Sequence, residues 1–457
     1  MPRQREVPQA VCFADARHDG EGPVAICRRP REGARQLAAG SMTTQPDSTR
    51  FDTGRSDAGG IDSTVLPVIL AVSLGHFLND LMQSLIQAAY PLFKENMGLS
   101  FMQVGLITLV FQGTASILQP LVGLYTDRRP LPYAMALGMA STGSGLIVMA
   151  HTTTFGATLA AVAMIGLGSA IFHPEASRIA RLAAGMRPGM AQSIFQVGGN
   201  TGTALGPLAA AFIVVARGQV AIQWFAAVAA LAMLTLWGVG RWYVSEGAQR
   251  ARARRTRADS ADEVSPAAVR FGMFLLVVLM FSKMLYQVSF SSYYTFFVIE
   301  EFGLTIDQSQ ICLFIFLAAV AAGTVIGGPI GDRIGRRRVI LWSILGTLPL
   351  AAVLPWLPLV PNVIFAALAG LVMASAFPAM VVYAQDLMPK STGMVAGLLY
   401  GLAFGIAAVG AAALGHLADL WGIVAVYKIC AFLPALGAVA VFLPDPKIDP
   451  RAEAAGG

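Results

Sequence analysis

From Val65 onward the chain is a succession of twelve apolar runs, near 65–91, 103–125, 131–150, 156–177, 190–214, 222–243, 271–298, 309–330, 338–358, 362–386, 393–415 and 424–443. Each suits a helix that crosses a bilayer, which takes roughly 20 residues. The runs are continuously apolar rather than alternating, so a transmembrane β-barrel is excluded. Helices remain, because they satisfy their own backbone polar groups inside lipid. Composition agrees: 56% of the residues are hydrophobic and only 13% are Asp, Glu, Lys or Arg. An ordinary soluble domain carries about 25% charged residues to cover its surface.

The polar segments organise these runs. Residues 1–63 are rich in Arg, Gly, Asp and Ser with no apolar period, and are expected to be a disordered cytoplasmic segment. They lack the apolar middle of a signal peptide. Met42 opens "MTTQPDSTR", so residues 1–41 are expected to be an extension ahead of the natural start. Residues 244–270 form a basic, flexible cytoplasmic linker between a first bundle (64–243) and a second (271–443), and 444–457 is a cytoplasmic tail. The net charge of +6 comes from short basic clusters between apolar runs, which fit a membrane's inner face better than nucleic acid. Arg128, Arg129, Arg178, Arg181, Arg187, Arg241, Arg333, Arg336, Arg337, Arg338 and Lys390 fall on one side with the linker arginines. Lys94, Arg217 and Lys428 fall on the other, so both termini are expected in the cytoplasm. Cys12, Cys27, Cys312 and Cys430 have no metal-ligand spacing, and neither a metal nor a cofactor is expected.

The chain also repeats itself. "GLYTDRRP" (123–130) follows the second run and "GPIGDRIGRRRVI" (328–340) follows the eighth, with Asp127 and Asp332 205 positions apart. The first and seventh runs begin at the same offset. "FHP" at 172 and "FP" at 377 keep it as well. The expected fold class is therefore an all-α membrane protein, twelve transmembrane helices in two pseudo-symmetric six-helix bundles around a central cavity.

Polar residues inside the runs mark the candidate site. His76, Asn79, Asp80, Gln83 and Gln87 share one face of the first helix. They form either a polar seam between helices or the wall of a cavity, and an ionisable group inside a span has a functional role as its default reading. On that reading Asp80 binds and releases a proton and His76 assists. Lys283, in the seventh run, either snorkels to the inner surface or anchors an anionic substrate; Tyr286, Phe290, Tyr293, Tyr294 and Phe297 continue its stripe and would shield the site. A Lys283–Asp80 pair would couple the two ligands. Gln112, Ser116 and Gln119, and then Gln192, Gln196 and Asn200, line two further helix faces, as substrate contacts or as glue between helices. In "IFHPEASR" (171–178), His173 and Glu175 are read as proton relays and Arg178 as structural, with Glu175 and Arg178 both pairing with the loop after the second run as the alternative.

The loop after the eighth run resembles the G-x-x-x-D-R-x-G-R-R signature of the major facilitator superfamily, through Gly328, Asp332, Arg333, Gly335, Arg336 and Arg337. The first-half copy keeps Gly123, Asp127 and Arg128 but has Pro130 where the glycine should be. "GTALGP" (202–207) is similar to the fifth-helix motif of drug–proton antiporters, but "GPLAAA" (206–211) has alanines where that motif ends in glycines. "HFLNDLMQSL", "LQPLVGLYTD", "AQSIFQVGGN", "SSYYTFF" and "VYAQDLMP" resemble the bacterial fosmidomycin-resistance transporters. The resemblance implies a monomeric, multi-pass protein of the bacterial inner membrane. It would export a phosphonate antibiotic or related small molecule in exchange for protons. It also implies gating roles for Asp127, Arg128, Arg178, Asp332, Arg333, Arg336 and Asp386, the last paired with Arg333 or Arg336. A proton-coupled importer of a small organic anion is the competing reading on the same fold. A membrane enzyme or sensor is disfavoured, since the sequence offers no phosphate-cradling loop and no nucleophile–base set.

Overall fold

A computed structural model describes residues 62–99, 101–260 and 265–444. The expectations for residues 1–61, including Met42, Cys12 and Cys27, for 261–264, and for the tail from 445 lie outside the described residues, as does the side chain of Gln87. The spans are α1 (Leu66–Ala88), α2 (Phe101–Arg128), α3 (Ala134–His151), α4 (Phe155–Ala183), α5 (Pro188–Ala209) and α6 (Phe225–Trp242). They continue with α7 (Pro266–Phe302), α8 (Ile306–Ile334), α9 (Arg336–Trp356), α10 (Leu359–Leu387), α11 (Thr392–Trp421) and α12 (Ile423–Phe442). Among the described residues, eleven helices are long and apolar enough to cross a membrane. The twelfth span, α5, is not among them; its Gln192, Gln196, Asn200, Thr201 and Thr203 make it the most polar, and it continues in π-helical form over Ala210–Val215.

Local chemistry sets several boundaries. Ser265 caps α7 by accepting from the Ala268 amide at 3.2 Å, with Pro266 in the first turn. Gly303 ends that helix at φ 65°, a left-handed conformation that glycine adopts without Cβ strain. Thr305 and Gln308 then open α8 with a reciprocal capping box. Pro174 in α4 and Pro378 in α10 each remove one ladder amide, and α10 breaks at Ser375.

The segment expected to be a flexible linker is helical over Ala248–Ser260, continuing α6 through one π-helical turn. Its Ala, Arg and Gln residues are good helix formers. Arg250 donates to the Ser63 carbonyl at 2.9 Å and Arg257 pairs with Asp62 at 2.8 Å, so Asp62 and Ser63, expected as the end of the disordered head, are held in place.

Small residues let the two halves touch. Gly393, Gly397 and Gly401 recur every four residues along α11 and lie on the backbone of α2. A Cβ at Gly123, Gly397 or Gly401 would meet the carbonyl of Gly393, Gln119 or Ser116 respectively. Across the pseudo-symmetry, Gly189 of α5 and Gly328 of α8 approach each other in the same way. These approaches cluster toward the end of the molecule that carries the α2–α3 and α8–α9 loops, hereafter the loop end. Overpacking at such a contact costs about 1–3 kcal/mol. Gly397→Val is therefore expected to raise the thiol-labelling rate of a cysteine placed at Gln119 by about tenfold or more. An unchanged rate would show that α2 and α11 do not pack through this glycine.

Candidate functional site

The opening pair of the α1 stripe meets a residue 93 positions away. His76 and Asp80 lie one turn apart on α1, and His173 of α4 faces them from across the first bundle. Nε2 of His76 is 3.3 Å from one Asp80 oxygen, and Nε2 of His173 is 3.6 Å from the other. Both imidazoles are fully buried, while Asp80 keeps 13% of its side chain exposed. At 1.5 Å per residue, His76 and His173 sit about 15 Å from the loop-end termini of their helices, near the middle of a bilayer core.

The other ring nitrogens decide what this group can hold. Nδ1 of His76 lies 2.8 Å from the Phe195 carbonyl, and Nδ1 of His173 lies 3.0 Å from the Ser169 carbonyl. In the tautomer with the hydrogen on Nδ1, both rings donate to these carbonyls, and the Ser169 hydroxyl, 3.2 Å from Nδ1 of His173, is a second partner there. Each Nε2 therefore presents either a bare lone pair or a second proton to Asp80. A bare lone pair against a carboxylate oxygen is repulsive, so the group is complete only with a positive guest between nitrogen and oxygen. Asn79 adds a donor to Asp80 at 2.9 Å, and its own Oδ1 is buried with no hydrogen-bond partner. The Phe195 ring stacks on His76 at 4.2 Å and fixes its plane. Gly199 closes one wall: a Cβ there would overlap the His76 ring and press on Asp80 Oδ2.

The α5 amides run from this group toward the second bundle. Gln192 donates to the Tyr400 hydroxyl at 2.9 Å, and that hydroxyl donates to Gln196 at 2.9 Å. Gln196 donates to Asn200, and Asn200 to Thr324 of α8 at 3.3 Å. Tyr400 also packs on His173, with ring centroids 5.2 Å apart. Gln192, Gln196 and Asn200 thus act as glue between bundles in this conformation, and Tyr400, which the sequence reading missed, joins that glue to the histidines. Gln83 is buried with an unpartnered amide nitrogen, and Gln112 is half-buried on α2.

Asp127 and Asp332 hold the loop end together. Asp127 accepts the amides of Gly393 and Met394 at 3.0 and 2.9 Å, at the first turn of α11. Asp332 accepts those of Gly189 and Met190 at 2.8 and 2.9 Å, at the first turn of α5. Each carboxylate sits on the positive end of a helix in the opposite bundle. Asp386 of α10 pairs with Arg181 of α4 and lies 3.5 Å from Arg336. Its expected partner Arg333 is exposed, as is Arg128, and Arg181 was not foreseen. Glu175, read as a relay, is instead buried in a two-bond pair with Arg178 at 2.6 and 3.1 Å, while Arg178 stacks over Tyr243. A carboxylate so neutralised stabilises the end of α4.

Lys283 is buried, and its ammonium donates to Gln287 and lies 5.5 Å above the Phe377 ring. Among the described residues no ion pair joins Lys283 to Asp80. Tyr286 packs on Phe290 in a core with Tyr294, Phe297, Phe316 and Tyr427, so most of the aromatic stripe fills the second bundle. Tyr293 donates to the Ala411 carbonyl at 2.6 Å and ties α7 to α11. A separate cavity of about 510 Å³ opens between α2, α7 and α11. Its lining is apolar, and the exposed Ile117, Phe281 and Val409 place it on the lipid flank, away from the polar group.

Twelve helices in two related halves, latched at one end and carrying buried ionisable groups between them, define a multi-pass membrane transporter rather than an enzyme. The chain belongs to the major facilitator superfamily, whose family model matches residues 72–299 and 273–457. It is 49% identical over 382 residues to the fosmidomycin resistance protein of Escherichia coli K12, covering 84% of this chain and 94% of that one. It is 42% identical over 384 residues to an uncharacterized MFS-type transporter of Bacillus subtilis 168, with the same coverage. Among solved structures, the proton:xylose symporter XylE shares the fold with a TM-score of 0.67 at 16% identity, covering 87% of this chain and 99% of that one. The E. coli fucose:proton symporter does so with a TM-score of 0.62 at 15% identity, covering 83% and 99%.

Asp332→Asn keeps one acceptor but loses the charge-assisted bonds, each worth about 1.5–3 kcal/mol. The variant is expected to open the loop end more often, with at least a tenfold rise in labelling of a cysteine at Ser193. Wild-type labelling would remove Asp332 from the latch.

Proposed function

We propose that this protein is a proton-coupled exporter that exchanges a small anionic compound, of the phosphonate kind named for its E. coli relative, for external protons. The observation that carries the reading is the Asp80 carboxylate placed between Nε2 of two buried imidazoles. Both rings set Nδ1 against a carbonyl and turn Nε2 toward that carboxylate, an arrangement that takes up a proton and gives it back as the halves move.

The one-sided placement of Lys and Arg supports a reading with the loop end and both termini on the cytoplasmic side of a bacterial inner membrane; the chain is taken to act as a monomer. With Asp127, Asp332 and the Arg181–Asp386–Arg336 group engaged, the cytoplasmic side is shut. Protons then enter from outside to the His76–Asp80–His173 group. Opening the latch exposes the group and the α5 amides to the cytoplasm, where the proton leaves and cargo enters. Lys283 is the anchor for the anion, because a buried ammonium whose neighbours are the neutral Gln287 amide, the Met284 sulfur and the Phe377 ring is under-compensated for its desolvation. Asn79, Gln83 and Gln112, with Gln196 and Asn200 once released, supply neutral donors. Tyr293 lines the same route, whereas Tyr286 has a packing role.

Everted membrane vesicles test this. Wild type is expected to accumulate the phosphonate when the lumen is acidified and to lose uptake with an uncoupler. Asp80→Asn should abolish the response to the proton gradient. Lys283→Ala should raise the half-saturating concentration by about tenfold or more, the loss of one charge-assisted contact. Wild-type behaviour from both variants would overturn the assignment, and uptake insensitive to uncouplers would remove proton coupling altogether.

A further inference from the structure

Ligand atoms of His76, Asp80 and His173, one from each, lie within 4.8 Å of one another, and Nε2 of each ring is the nitrogen that faces Asp80. We propose that these three residues form a binding site for a first-row divalent metal ion such as zinc, with three protein ligands and one open position. No metal is expected from the sequence, whose cysteines have no ligand spacing; His76 and His173 lie 97 positions apart and meet only in the fold.

Three features beyond proximity support the site. The first is the donor set: two imidazoles and one carboxylate match the three-ligand pattern of zinc sites with an open position, and they disfavour magnesium and calcium, which take oxygen ligands. The second is distance. Bonds of about 2.0–2.1 Å to a tetrahedral zinc separate neighbouring donors by about 3.3–3.4 Å; Nε2 of His76 is 3.3 Å from one Asp80 oxygen and Nε2 of His173 is 3.6 Å from the other, so the carboxylate offers an oxygen to each side. The two rings meet edge-on, with centroids 5.1 Å apart. The third is the outer shell. A ligating histidine gives its other ring N–H to a carbonyl or carboxylate, and both rings already do so, to Phe195 and Ser169. The shell has an orphan as well: Nε2 of the fully buried His173 is directed at Asp80 with no hydrogen-bond partner.

The surroundings suit a cation. Phe172, Phe195, Phe404 and Tyr400 enclose the rings. A metal here would bridge α1 to α4 and occupy the space between nitrogen and carboxylate. The site shares its residues with the proton-coupling reading, but binding is measured without transport, so the two stand or fall separately.

The test uses the purified full chain in detergent, stripped with a chelator and titrated with Co²⁺ as a spectroscopic stand-in. Wild type is expected to bind one Co²⁺ with the visible absorption of a tetrahedral site, and Zn²⁺ should displace it. His76→Gln and His173→Gln should each weaken binding by about 10–100-fold or more. His151→Gln and His416→Gln, at exposed positions, should bind like wild type. X-ray absorption on the wild-type complex should report two imidazole nitrogens, a readout independent of whether any variant folds. Failure of wild type to bind Co²⁺ saturably, or binding that persists in both His76→Gln and His173→Gln, would overturn the site. Intact binding in a protein whose transport ignores Asp80 would sink the proton reading and keep the metal site.

Discussion

A carboxylate faced by two imidazole nitrogens is the constraint around which this molecule is arranged. Nδ1 of the two rings lies against the Phe195 and Ser169 carbonyls, Nε2 of each faces Asp80, and Asn79 donates to the same carboxylate. Other features follow from keeping that group in place. Gly199 gives α5 a flat wall against His76, Phe195 fixes the ring plane, and Tyr400 connects the group to α11. Asp80 is the least buried member, which leaves one approach for a guest.

The second constraint is symmetry. The two copies of the loop motif do the same physical job in opposite directions: each aspartate binds the amino end of a helix in the other bundle. Such bonds are strong enough to hold a closed state and few enough to release together. The Arg181–Asp386–Arg336 group adds charge pairs at the same end, and the Gln192–Tyr400–Gln196 chain ties the bundles deeper in.

Much of this was legible in the sequence. The apolar runs gave the spans, the 205-residue offset exposed the repeat, and the polar face of α1 drew attention to His76 and Asp80, which the fold brings against His173. Partnerships across helices were less legible, for a physical reason: periodicity places a residue on a face but does not say what that face meets. Glu175 read as a relay until Arg178, one turn away, took both its oxygens. Tyr286 and Phe290 read as a substrate shield, yet an aromatic stripe packs equally well into a core, and here it does. Arg181 and Tyr400 carried no local signal that set them apart from other arginines and tyrosines. The basic linker was misread because its charge drew attention from its helix-forming composition.

The central claim concerns where hydrogens sit on two rings, so nitrogen NMR of the protein labelled at histidine tests it most directly. The account predicts that His76 and His173 both keep their hydrogen on Nδ1, and that their Nε2 resonances move between free and cation-bound positions as acid or zinc is added. Rings that carry their hydrogen on Nε2 with Nδ1 bare would contradict it.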